Sequence, residues 1–307
     1  MVHPSSGCPV FRARAAATAH QPAELNPLMA EPDALKPLRP ALQREGRGRR
    51  LPLISAHRAG LIPNRPGQDP RAALQAVLDA GCDLLELDVR RTRDGVPVVE
   101  HEDDVAVDGR PVSVGALTAA ELSRTSGGCL SLEDALRMMT GRAGAHLDLK
   151  EAGTADELIA LVAVAIGRLG VENVVVTGLN DEEVATLRSW SRQRYPELLV
   201  GLALGRELRG LSLLRLLRTG LEELFPGGRL RRSDANLIVC QKDLARVWIA
   251  GWARRHGLPL LIWTVNEPAA MRRWLADARA WAVTTDDPRA ALATRRTGGD
   301  RGTLRSA

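Results

Sequence analysis

At 307 residues, with 45% apolar and 26% charged side chains, the chain has a globular composition and enough length for an α/β barrel of about 250 residues. Its formal charge of +5 is carried by the ends: residues 1–50 hold +4 and residues 292–307 hold +3, so residues 51–291 come to −2. A mildly acidic body argues against a nucleic-acid face, and no apolar run approaches the ~20 residues that span a bilayer, so no transmembrane segment is expected.

Residues 1–50, rich in Pro, Ala and Arg and without periodicity, read as a disordered basic N-terminal extension. From Leu51 the pattern changes. Short β-like runs near 51–56, 84–89, 145–150, 173–177, 198–204, 235–239, 259–263 and 281–285 alternate with helical patterns at 70–80, 131–140, 154–169, 181–194, 208–219, 243–256 and 268–278. A short last helix is expected from Pro288 to Ala293, followed by a disordered C-terminal tail over 292–307. Eight strands alternating with eight helices predict a single α/β domain over 51–291, a (β/α)8 TIM barrel. One insertion follows the second strand: residues 102–130 contain the turn signal Asp108-Gly109 and a helical piece near Thr118–Ser123. A doubly wound open sheet would also alternate, but it would bind ligand at a switch point after a Gly-rich turn. The chain has no GxGxxG, and its polar residues cluster at strand C-terminal ends, where barrel sites lie.

The densest chemistry lies between His57 and His101. Along Leu84–Val89, Glu86 and Asp88 share one strand face while Leu85, Leu87 and Val89 share the other. In AHLDLK the same parity joins His146, Asp148 and Lys150. Inside a barrel, Glu86, Asp88 and Asp148 would surround one point, where three like charges repel unless a cation joins them. All-oxygen ligation favours one divalent cation, Mg²⁺ or Ca²⁺. His57 and His101 each end an apolar run beside that cluster, a pairing suited to general acid and base work. Arg58 offers a planar fork to a phosphate oxygen. Lys150, one of only three lysines among 42 basic residues, offers a compact charge. His146 lies deeper and reads as structural. Trp263 either packs against the carbon part of a substrate or belongs to the core. Cys8, Cys82, Cys129 and Cys240 form no CxxC or metal-finger spacing, which suggests reduced thiols and a cytoplasmic setting.

These residues resemble the glycerophosphodiester phosphodiesterase family. HRAG matches its opening HRG, and AGCDLLELDVRRTRDGVPVVEHED matches its AGAD-x-IE-x-DV-x-x-T-x-DG-x-x-V-x-HD. CLSLEDAL, HLDLK, IWTVNEP and TTDDP follow in family order. The resemblance implies a metal-dependent TIM barrel that hydrolyses small-molecule glycerophosphodiesters to sn-glycerol 3-phosphate and an alcohol. It implies acid/base roles for His57 and His101, metal ligation by Glu86, Asp88 and Asp148, and phosphate contacts from Arg58 and Lys150. Three departures stand out: Gln68 replaces the P-E-N-T glutamate, Asp148 replaces a glutamate, and Glu102-Asp103 follow His101 where the family has one aspartate. Two further readings remain open, a lysophospholipase D-like activity on an acylated substrate and a catalytically weak barrel that binds phosphorylated ligands. An apolar lip over 102–130 would favour the acylated substrate, a polar cap the deacylated one.

Overall fold

The computed structural model of the protein describes residues 51–61, 68–125, 128–150, 154–205 and 225–303. In chain order its strands are Leu53–Ala56 (β1), Leu84–Arg91 (β2), Pro97–Val99 (β3), Asp104–Val107 (β4), Arg110–Ser113 (β5), Gly144–Leu149 (β6), Val174–Gly178 (β7), Leu199–Leu204 (β8), Leu237–Gln241 (β9), Leu260–Trp263 (β10) and Ala282–Thr285 (β11). Eight of them, β1, β2 and β6 to β11, pair in parallel, and β1 bonds to both β11 and β2, so the sheet closes as a TIM barrel. The eight expected strands are all present, with ends shifted by a residue or two. Strand β3 runs antiparallel along β2, and β4–β5 form a separate hairpin.

Strand parity sorts the side chains. Leu84 clusters with Val175, Ala203, Leu237, Val239 and Leu261 in the lumen. Leu85, Leu87 and Val89 instead join the larger core with helix residues such as Leu74, Val77 and Leu136. Each side chain fully buried there contributes about 1.5–3 kcal/mol. Glu86 and Asp88, in phase with Leu84, therefore face the lumen.

The returning helices start where local chemistry permits. Pro70–Ala80 has Asp69 accepting from Arg71 N at 2.9 Å, proline in its first turn and Gly81 at its left-handed end. Ala155–Leu169 opens with a capping box between Thr154 and Glu157. Among the described residues no helix is long and apolar enough to cross a membrane.

Three local expectations change. The last helix runs over Pro288–Thr303 rather than stopping at Ala293, so position 292, the expected start of the tail, lies inside it. Its extension is anchored because Leu292 is buried and Arg295 pairs with Asp83, whose carboxylate also accepts from Ile54 N at 2.8 Å. The 102–130 insertion holds the β4–β5 hairpin around Asp108 and Gly109, both at positive φ, beside the expected short helix, here Ala119–Thr125. Gly227–Ser233 forms a helix that periodicity did not announce. The extension over 1–50, the helix expected over 208–219 and residues 304–307 lie outside the described residues.

Candidate active site

Glu86 and Asp88 at the end of β2 and Asp148 on β6 each offer a carboxylate oxygen, all within 4.8 Å of one another. Register explains the meeting, since Asp88 pairs with Asp148 across adjacent parallel strands and Asp148 pairs in turn with Thr177. Glu86 is 3% exposed and Asp88 1%, so neither charge is relieved by bulk water. Lys150 is the compensating cation: its Nζ lies 2.6 Å from Asp148 Oδ2 and 2.8 Å from Asp88 Oδ1. Thr177 Oγ1 donates to Asp148 Oδ1 at 3.1 Å. Burial first, then the charges of Asp88 and Asp148, lift the Glu86 carboxyl well above its ordinary value. Burial also opposes ionisation of Asp88, but Lys150 outweighs it and holds that carboxyl low. Asp148 is lifted by burial and Asp88 against the pull of Lys150. Three carboxylates and one ammonium leave a charge of −2 when fully ionised, which suits a divalent oxygen-seeking cation. Beyond the Lys150 ammonium beside Oδ1, the buried oxygens of Asp88 receive no well-directed hydrogen bond, which leaves them able to face a cation.

The turn after β1 carries the other half of the site. Arg58, Ala59 and Gly60 all adopt left-handed backbone, with φ of 52°, 51° and 81°. Such a conformation costs a non-glycine residue roughly 1–2 kcal/mol. Here it turns Arg58 N toward Glu86 Oε2, to which it donates at 2.5 Å. Gly60 has a second reason to be glycine, because a Cβ there would stand 2.3 Å from Val77 Cγ2.

The two imidazoles are held differently. His57 Nδ1 meets Asp286 Oδ1 at 2.6 Å, and Asn266 Nδ2 donates to the other oxygen of Asp286 at 2.5 Å. The Asn266 carbonyl is itself fixed by Asp286 N at 2.9 Å and Thr285 Oγ1 at 3.2 Å. His101 accepts at Nε2 from Arg58 Nη2 at 2.9 Å and donates from Nδ1 to Glu102 Oε1 at 2.9 Å. Burial lowers the pKa of His101, and the cations Arg58 and Lys150 add to that against the pull of Asp88. Arg90 donates to the His101 carbonyl at 3.0 Å and pairs with Asp103, fixing the backbone beneath. Arg58 Nε is buried with no hydrogen-bond partner, a donor suited to an anion.

Residues 71–200 match the model of the glycerophosphoryl diester phosphodiesterase family. That stretch of the chain is similar to the family's domain. No curated protein matches it in sequence. Among solved structures it resembles a glycerophosphodiester phosphodiesterase from Parabacteroides distasonis ATCC 8503, with 19% identity, a TM-score of 0.61 and coverage of 83% of this chain and 100% of that one. It resembles another from Agrobacterium tumefaciens str. C58 at 22% identity and a TM-score of 0.58, covering 79% and 100%. A phosphodiesterase from Oleispira antarctica, in complex with the product sn-glycerol-3-phosphate, matches at 20% identity and a TM-score of 0.60, covering 80% and 96%. At these identities the likeness is one of fold.

Within the barrel the remaining expected residues fall as follows. His146 is buried between Ser55 Oγ at 3.3 Å and Thr177 Oγ1 at 2.9 Å, and burial pushes its pKa down to about 3. Trp263 ends β10, diametrically opposite β6 in the barrel, and packs on the lumen cluster. A Cβ on Gly205 would stand 3.3 Å from its ring. The mouth is thus polar over β1, β2 and β6, with the Trp263 ring across the barrel from them. Gln68, in place of the family glutamate, donates its amide to Gly60 O in a long contact of 3.5 Å, so it supports the HRAG turn. Asp148, though one methylene shorter than glutamate, still reaches the carboxylate cluster. Asp286, Asn266 and Glu102 carry positioning contacts that spacing alone did not assign. The available signal was the unbroken TTDDP after the last apolar run, since barrel closure sets that end beside His57.

Proposed function

We propose that the protein is a metal-dependent glycerophosphodiester phosphodiesterase that releases sn-glycerol 3-phosphate and an alcohol, with His101 and His57 as base and acid. The observation that carries this reading is the meeting of three carboxylates, two of them buried, with two separately anchored imidazoles at one barrel mouth. Glu86, Asp88 and Asp148 would hold one Mg²⁺ or Ca²⁺. When bound, that ion would polarise a phosphoryl oxygen and offset the charge that gathers on it.

In this reading Arg58, with its unsatisfied buried Nε, takes a phosphate oxygen, and Lys150 adds a second cation. His101, held neutral by burial, takes the proton of the glycerol hydroxyl as its oxygen bonds to phosphorus. His57, oriented by Asp286, gives a proton to the departing alcohol as its bond to phosphorus breaks. The resulting cyclic phosphate is opened by water with the two roles reversed. Intramolecular attack draws on proximity, which a clamped phosphate would fix. Trp263 would cover the carbon part of the substrate from the opposite side of the barrel.

The insertion supports a deacylated substrate. Val98, Val114, Leu117 and Leu122 turn inward into a core of their own, with Val105, Val107 and Val112 packed against it. Asp104, Asp108 and Arg110 are left exposed, which makes a polar cap rather than an apolar lip. The catalytically weak alternative rested on Gln68, whose contact with Gly60 gives it a supporting place instead.

The test is glycerol 3-phosphate release from glycerophosphocholine and glycerophosphoethanolamine, before and after EDTA and with Mg²⁺ or Ca²⁺ restored. Release that EDTA stops and either ion restores is expected. No release from any diester with metal present would overturn the reading. Faster turnover of lysophosphatidylcholine than of glycerophosphocholine would move the substrate to the acylated class.

A further inference from the structure

The helical segment over 242–255, which follows β9, shows an aromatic edge to solvent. Ala245, Ile249, Ala250 and Ala253 are its buried side. Val247 and Arg255 are exposed, on the side facing away from the barrel, while Trp248 and Trp252 are half-buried against the core. Val247 is 75% exposed, and Phe225, just before the helix Gly227–Ser233, is 68% exposed. The Phe225 and Trp248 rings lie 6.1 Å apart, Trp248 and Trp252 6.4 Å, and Trp252 stacks on His256 at 3.9 Å. A row of rings therefore runs from Phe225 along the 242–255 segment, flanked by exposed Arg246, Arg254 and Arg255.

Charge is segregated with it. Arg246, Arg254 and Arg255 are exposed beside it, whereas Arg229 is buried against Asp181 and Arg232 shares that carboxylate; residues 51–291 as a whole come to −2. Exposed apolar side chains rimmed by arginine on an otherwise acidic body match the chemistry of an anionic interface with an apolar layer beneath. Nucleic acid would meet the arginines but offers nothing to Val247. A second copy docking isologously would set the same positive face against itself.

We infer that this face seats the protein on an anionic phospholipid surface, with Phe225 and Val247 entering the headgroup boundary and the arginines meeting lipid phosphates. The inference does not rest on the catalytic reading, because none of these residues reaches the carboxylate cluster.

The test uses the full chain with vesicles of phosphatidylcholine alone or mixed with phosphatidylglycerol, read by co-sedimentation and tryptophan emission. Two variants separate the contributions, Phe225→Ser with Val247→Glu, and Arg246→Glu with Arg254→Glu and Arg255→Glu. Binding to the phosphatidylglycerol vesicles alone is expected, weakened at least ~10-fold by either variant set, with unchanged melting temperature. Absence of binding would overturn the inference. So would binding that both variant sets leave intact, as the basic N-terminal extension alone would give. A wild-type dimer in solution that Phe225→Ser with Val247→Glu dissolves would assign the face to self-association instead.

Discussion

His57 and Asp286, 229 residues apart in sequence, meet through a 2.6 Å contact at the seam where the first and last strands of the barrel pair. The carboxylate settles which ring nitrogen of His57 bears the proton, and Asn266 settles which way the carboxylate faces. Asp286 is therefore a positioning residue. Asp286→Asn should lower kcat by ~10²-fold or more with little change in KM, and should shift the pH–rate profile because the His57 tautomer is no longer imposed. Asn266→Ala should produce a smaller loss of the same kind. Equal losses in kcat and thermal stability, with an unmoved pH profile, would reduce the pair to a structural contact.

Metal should stabilise as well as activate. Repulsion among Glu86, Asp88 and Asp148 is only partly offset by Lys150, so saturating Mg²⁺ or Ca²⁺ should raise the melting temperature, by about 2.7 kcal/mol of stability at a hundredfold excess over Kd. Asp88→Asn should abolish that response. A metal-induced rise that persists in Asp88→Asn would place the ion elsewhere.

Acid should destabilise the fold through His146. Its buried ring stays neutral down to about pH 3, whereas an unfolded imidazole protonates near the ordinary value of 6.5. Between those limits the unfolded chain binds more protons. Stability from this group is complete above 6.5 and falls as pH drops toward 3, by up to a few kcal/mol. Chemical denaturation at pH 7 and pH 5 should show this loss, and His146→Gln should flatten it. An unchanged difference in that variant would assign the acid sensitivity to other groups.

Gly60→Ala tests the left-handed turn. The substitution combines an unfavourable φ of 81° with a Cβ 2.3 Å from Val77 Cγ2, and a cost of roughly 1–3 kcal/mol is expected. Because the same turn aims Arg58 at Glu86, kcat should fall further than stability accounts for. Pairing it with Val77→Ala should recover part of the stability and little of the turnover. Full recovery of both would mean that the glycine serves packing alone.

The barrel was legible because parallel strands buried on both faces leave plain apolar runs, and because period-two parity assigned Glu86, Asp88, His146 and Asp148 to the lumen before any coordinates. Parity could not reveal the partners of the histidines. Asp286 reaches His57 only because the sheet closes, and Glu102, which read as a departure from pattern, is the group that accepts from His101 Nδ1. The β4–β5 hairpin escaped notice because its strands have four residues each and half-buried valines. The last helix was underestimated for a related reason. ATRRTGGD reads as polar tail, and its hold on the body is the long-range pair of Arg295 with Asp83.

Closure of the barrel by its first and last strands also has a temporal meaning. A growing polypeptide that has emerged through β10 already contains every carboxylate of the cluster and both imidazoles, yet His57 still lacks the group that turns it. Full hydrolytic competence would then arrive only with the final strand, since any truncation short of Asp286 removes the carboxylate that orients His57.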